Sequence, residues 1–189
     1  MPIDDSTREV PDGRVFEWLG TDAEGVPYYL HPLNLCWSAQ GADQDLQIYS
    51  RVADLLAAVP DYWAKIIRET NWRHSLVGCT CLLASRRKEF FEELCYRFRA
   101  GSWVEPQIAV TLGQLHGTAS RAFFESALEE PAFRRKPKQA VSAHRVLLHL
   151  GVDPKHDIIV DSWTDFELDD AMIANEVVRA HWSFWSGRA

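Results

Sequence analysis

The stretch TNWRHSLVGCTCLLASRRKEFFEELCYRF, residues 70–98, gathers Trp72, Arg73, His74, Cys79, Cys81 and Cys95. Such residues can bind metal, attack an electrophile or hold an anion. A structural zinc site needs about four nitrogen or sulfur ligands converging tetrahedrally, usually at Cys-x2-Cys spacing. Cys79 and Cys81 are two residues apart, and on a helix that sets them roughly 200° apart around the axis. A nucleophilic thiolate wants a helix N-terminus or an adjacent cation, whereas these two lie mid-segment among leucine and valine. His74 and Cys81 share a face at i, i+7, too far apart to touch. The cysteines are therefore expected to be small packing residues, with no metal, no cofactor and no catalytic nucleophile.

Arg73 beside Trp72 is expected to stack its guanidinium or pair it with an acid, fixing one helical hairpin against the helix before it. His144 falls on an apolar stripe with Val141 and Leu148, which predicts a core histidine rather than a partner of His149, His156 and Asp157. The alternative chemistry is a small enzyme with an inter-helix pocket, using His74, His116 or His144 as acid-base group and Arg73 as anion anchor. No phosphate loop, nucleophile elbow, dinucleotide fingerprint, kinase signature or metalloprotease helix is present.

Charge is distributed unevenly. The net charge is -7, and residues 1–45 hold nine acids against two bases, while the rest of the chain is balanced. A net acidic chain disfavours nucleic acid, whose phosphates call for a basic face. Asp157, Asp161, Asp165 and Asp169 recur every four residues, with Asp170 adjacent. On one continuous helix such like charges repel by about a few tenths of a kcal/mol per pair, so part of the run is expected to be loop. These five, with Asp22 and Glu24, are the candidate contacts for a basic protein partner. The basic loop Arg134, Arg135, Lys136 and Lys138 is too small to hold nucleic acid strongly.

The elements that position these residues follow from periodicity. A hydrophobic fraction of 47% with 25% charged residues is that of a globular protein, and no run of about 18 apolar residues or leading basic-apolar signal is present. Four cysteines without a disulfide pattern fit a reducing, cytoplasmic setting. Residues 1–13 read as a flexible tail and 14–189 as one domain. Within that domain, 14–38 read as an aromatic β-ribbon, because RVFEWLG and VPYYLHPLNLCWS are rich in aromatic residues around the turn-like TDAEG. Residues 46–189 read as a helical body. Ile48, Val52, Leu55 and Val59 form one stripe that Pro60 should end; Trp72, Leu76, Cys79 and Leu83 form another; Phe90, Phe91, Leu94, Cys95 and Phe98 a third. A last helix is predicted from about Phe166, with Thr164 and Glu167 at capping-box spacing and an apolar stripe of Ala171, Val178, Trp182 and Trp185.

A shift of 32 residues lays Leu76 on Ile108, Val77 on Ala109, Leu83 on Leu115, Ser85 on Gly117, Phe91 on Phe123 and Cys95 on Ala127, predicting two similar helical hairpins. Residues 70–151 resemble HEAT-like α-helical repeats of uncharacterised bacterial proteins, on Trp72, Arg73, Gly78, Gly113 and Gly117 as structural positions. The Asp and Arg ladder of such repeats is absent from SRRK and HGTA. The resemblance implies a short solenoid of stacked hairpins with one face free for binding. Small size, acidic balance and no active-site signature then point to a non-catalytic binding module. Its sharpest form is an immunity protein that blocks a basic toxin; a homo-oligomeric scaffold built on the tryptophan-rich HWSFWSG terminus is the remaining alternative.

Overall fold

The computed structural model describes residues 13–161 and 163–188, so the tail expected over 1–13 lies, Gly13 apart, outside the described residues. Nine helices and no strand are present among those described. They are α1 (Arg14–Leu19), α2 (Ala42–Ala57), α3 (Pro60–Arg68), α4 (Trp72–Ser85), α5 (Phe91–Ala100), α6 (Glu105–Glu129), α7 (Pro131–Arg134), α8 (Pro137–His149) and α9 (Asp165–Ser186). The chain is mainly α, as its periodicity predicts.

The β-ribbon expected over 14–38 does not form. Val15 and Leu19 stand four apart and are both buried, so RVFEWL becomes the short helix α1. One isolated bridge, Thr21 to Pro27, and a single 3-10 turn at Tyr28–Leu30 follow it. Pro27 and Pro32 lack the amide hydrogens a ladder needs, and Asp22 Oδ1 accepts from the backbone N–H of Glu24 and Val26 at 2.9 and 2.8 Å, closing the turn together with the backbone bonds from Asp22 N to Val26 O and from Gly25 N to Asp22 O.

Helix α2 buries Asp45, Tyr49, Val52, Ala53 and Leu56, a face rotated from the expected stripe; Leu55 is 49% exposed. Helix α2 stops at Ala57, shortly before Pro60. Pro60 opens α3 in the first turn, where its missing N–H costs no hydrogen bond.

Helix α4 is central. Every residue from Ser75 to Leu83 is buried, and it packs against α2, α3 and α6. Small side chains permit that enclosure: a Cβ on Gly78 would lie 2.8 Å from Ile67 Cγ1. Thr80 satisfies its own hydroxyl by donating to Leu76 O at 2.8 Å.

The two segments related by the 32-residue shift differ at the joint. After α4 the chain leaves the helix through Arg86 and Phe90, both at positive φ, before α5 begins. At the equivalent joint α6 continues through a kink at Gly117, with φ 28° and ψ -93°. Buried Ser120 donates to Leu112 O across this kink at 2.6 Å, giving that carbonyl a partner. The second hairpin expected from the repeat is therefore a bent helix, whose two halves pack against α4, α5, α8 and α9.

The last helix returns to the first elements. Leu33 O accepts from Gln107 Nε2 of α6 at 2.9 Å and lies 3.3 Å from His181 Nε2 of α9. Trp37 stacks on Phe184 at 4.9 Å, and Arg188 reaches Asp43 at 3.3 Å. One core runs from Val15 to Trp185, with a satellite of Val141, Ala171 and Ala174 covered by Ile158 and Trp163.

Candidate functional site

The 70–98 stretch is interior. Cys79 and Cys81 are buried on the enclosed helix α4, and burial pushes the Cys79 thiol up to about 12 and the Cys81 thiol higher still. Cys95 is also raised to about 12, by burial and then by Glu92. Protonated thiols of this kind are poor nucleophiles. Among the described residues, no group of three or more His, Cys, Asp or Glu is placed to hold a metal ion.

Exposed Arg73 lies over the ring of half-buried Trp72 at 4.5 Å, a stack between chain neighbours. A buried arginine that the sequence reading overlooked, Arg97, ties α5 to α4 and to the connection before it. It is 5% exposed, and it donates from Nε to Ser75 Oγ at 3.3 Å and from Nη2 to Thr70 O at 3.2 Å.

His74, His116 and His144 sit on α4, α6 and α8, and no hydrogen bond or ring contact joins any two of them among the described residues. The His74 ring tilts on Phe16 at 4.6 Å, and that of His116 on Phe91 at 5.0 Å. Burial, then the Lys88 charge, holds His116 below the usual imidazole range; burial, then Arg145, does the same to His144. An open groove between α5 and the second half of α6 is lined by Phe91, Glu92, Cys95, Tyr96, Arg99 and Phe123, and by none of these histidines or Arg73.

One titratable cluster joins segments far apart in sequence. His31 is 3% exposed, with Nε2 3.2 Å from Asp22 Oδ2 and Nδ1 2.8 Å from Asp45 Oδ2. Asp45 is fully buried and also accepts from Ser38 N at 2.8 Å and from the Ser38 hydroxyl. Every polar atom of this cluster facing the interior has a partner, so it fastens segment 22–38 onto α2. Asp22, expected as a surface contact, is turned inward, with a side chain 6% exposed. Glu24 remains outside.

The other acids divide. Asp157, Asp161, Asp165 and Asp169 are exposed, and none forms an ion pair among the described residues; Asp170 is half-buried and paired with Lys138 Nζ at 3.1 Å. Asp157 and Asp161 lie in the segment before α9, Asp165 and Asp169 in its first turns. Thr164 and Glu167 form the expected capping box, Glu167 N donating to Thr164 Oγ1 at 3.3 Å and Thr164 N to Glu167 Oε2 at 2.8 Å. Glu24 stands apart from this group. Segment 28–41 docks beside His181, sixteen residues after Asp165, which is about 24 Å along the helix axis.

The glycines Gly78 and Gly113 lie at close approaches. A Cβ on Gly113 would come within 2.6 Å of both Trp182 Cζ3 and Val146 Cγ1. The aromatic residues of HWSFWSG are used within the chain: Trp185 is 2% exposed, Trp182 stacks on His149 at 4.9 Å, and Phe184 on Trp37. No helix of the described residues is long and apolar enough to cross a membrane.

No protein-family model matches this chain, and no curated protein or solved structure matches it either.

Proposed function

We propose that this chain is a non-catalytic protein-binding module that captures a basic partner. Its most specific form is a bacterial, cytoplasmic immunity protein that occupies and blocks a basic toxin. The observation that carries the reading is the exposure of Asp157, Asp161, Asp165 and Asp169, none in an ion pair among the described residues, on a chain of net charge -7. Four exposed carboxylates, none of them in an ion pair among the described residues, attract a cationic surface and raise its association rate.

A HEAT-like short stack is the architecture that goes with this reading. It is supported by the order of contacts, in which α2 and α3 pack on α4, α4 and α5 on α6, and α6 on α8 and α9. Such a stack presents elements side by side and leaves their outer faces for a partner. Here the return of α9 over segment 28–41 covers one side, so binding is assigned to the outer edge that carries the acids.

The experiment is affinity capture from lysate of the source cells in low and in high salt, beside a variant with all four aspartates changed to asparagine. A basic protein retained by the wild type, released by salt and lost to the variant is the expected result. Capture of an acidic partner, or equal capture by the variant, ends the proposal.

A further inference from the structure

The outer face of α9 carries a feature that charge alone does not explain. Phe166 is 73% exposed, Met172 64% and Ile173 55%. On a 100° helical wheel they flank the side opposite Ala171, Ala174, Val178 and Trp185, the residues that face the core, with Phe166 and Ile173 on one edge of that side and Met172 on the other. Asp165, Asp169 and Glu176 lie among them on the same outward side; all three are exposed, and none has an ion pair among the described residues. Phe166 and Ile173 are spaced i, i+7 along one flank, and Asp165 and Asp169 repel each other at i, i+4. From Asp165 to Glu176 the strip is about 16 Å long, three helical turns.

We infer that this strip is the seat of an amphipathic helix from another protein, its apolar residues on Phe166, Met172 and Ile173 and its lysines or arginines beside Asp165, Asp169 and Glu176. The inference rests on the reading that the chain binds a basic partner, and it adds which residues anchor that partner and what form the partner takes. Charge selects this occupant over two others. Antiparallel pairing of two copies about Met172 and Ile173 sets Asp169 of one against Glu176 of the other, a like-charge contact. An anionic lipid surface attracts helices whose polar face is basic, and this one is acidic. Apolar anchors and flanking charge then have separate roles: the former set the dissociation rate and the latter the encounter.

The test uses the intact chain and a synthetic helix-forming peptide of leucines and lysines in amphipathic order, about three to four turns long, with its glutamate counterpart as control. Fluorescence anisotropy compares wild type, the apolar variant F166S/M172S/I173S and the distal charge variant D157N/D161N, each checked for unchanged helical circular dichroism. The lysine peptide should bind wild type, weaken by at least about tenfold with the apolar variant, and weaken less with the distal one; the glutamate peptide should not bind. Equal binding to wild type and apolar variant overturns the inference. So does concentration-dependent dimerisation lost in that variant, or a preference for anionic vesicles over the peptide. Binding sensitive only to D157N/D161N removes this inference and leaves the binding function standing, whereas binding sensitive to neither variant removes both.

Discussion

His181 Nε2 lies 3.3 Å from the carbonyl oxygen of Leu33, 148 residues earlier, so a buried imidazole joins the last helix to the segment that precedes the second. Burial holds this histidine down to about 4, whereas at the start of α6 burial pushes Glu105 up to about 7. The two act in opposite directions. Between about pH 4 and 6.5 the unfolded chain binds a proton at residue 181 that the folded chain refuses, so this group makes stability rise with pH. Between about pH 4.5 and 7 the folded chain keeps a proton at Glu105 that the unfolded chain releases, so that group makes stability fall with pH. Over the shared window the contributions cancel in the wild type. Replacing either residue should unmask the other. Relative to wild type, Glu105→Gln should gain stability as pH rises through 4.5 to 6.5, and His181→Gln should lose it, each by about 1.4 kcal/mol per pH unit at most. Urea unfolding across that range measures both difference curves; parallel profiles for the three proteins would count against this account.

Removing Asp45 should be among the costliest single changes to the chain. Its carboxylate is fully buried and serves His31, the Ser38 amide and the Ser38 hydroxyl together. Asp45→Ala strands all three, and loss of one member of a buried charged cluster costs about 3–5 kcal/mol. Asp22→Ala should cost less, because backbone turns supply some order at its rim. Limited proteolysis offers a second readout, with new cuts expected in segment 22–38 before the helices unfold.

The helical body was legible because its stripes repeat every three or four residues over many turns, a pattern only a helix satisfies. The N-terminal segment was misread since Val15, Phe16 and Trp18 favour strands by type, although the four-residue spacing of Val15 and Leu19 already favoured a helix. His31, Asp45 and Arg97 escaped notice for a different reason. Their partners lie 7 to 27 residues away, and an acid or base is assigned to the surface until a tertiary partner is known. The same habit misplaced Asp22. On α9 the inward stripe of Ala171, Val178 and Trp185 was visible, but Phe166, Met172 and Ile173 form a second apolar set on the other side, which the same wheel contained.

Gly113→Ala is expected to destabilise the chain by about 1–2 kcal/mol, although alanine is the better helix former by about 1 kcal/mol. The added Cβ meets Trp182 and Val146 at 2.6 Å, and the indole is already held by the His149 stack. Gly78→Ala should cost less, as its Cβ meets one atom inside 3 Å, Ile67 Cγ1 at 2.8 Å, where that of Gly113 meets two. Trp182→Leu removes the colliding ring atoms. In a double-mutant cycle it should therefore offset part of the Gly113→Ala loss, a coupling that additive thermal shifts would disprove.

Thiol accessibility distinguishes the two ways of reading the cysteine-rich stretch. Cys36 is exposed, whereas Cys79, Cys81 and Cys95 are buried. Cys79 and Cys95 are raised to about 12, so they are protonated at neutral pH as well as hidden. A disulfide reagent should therefore titrate one thiol per native chain, and Cys36→Ser should abolish that fast reaction without changing the melting temperature. The other three should react only as fast as the protein opens, and denaturant should make all four available. A fast second thiol in native Cys36→Ser would mean that α4 or α5 opens readily or holds an activated cysteine. Slow reaction instead ties the chemistry of this stretch to packing.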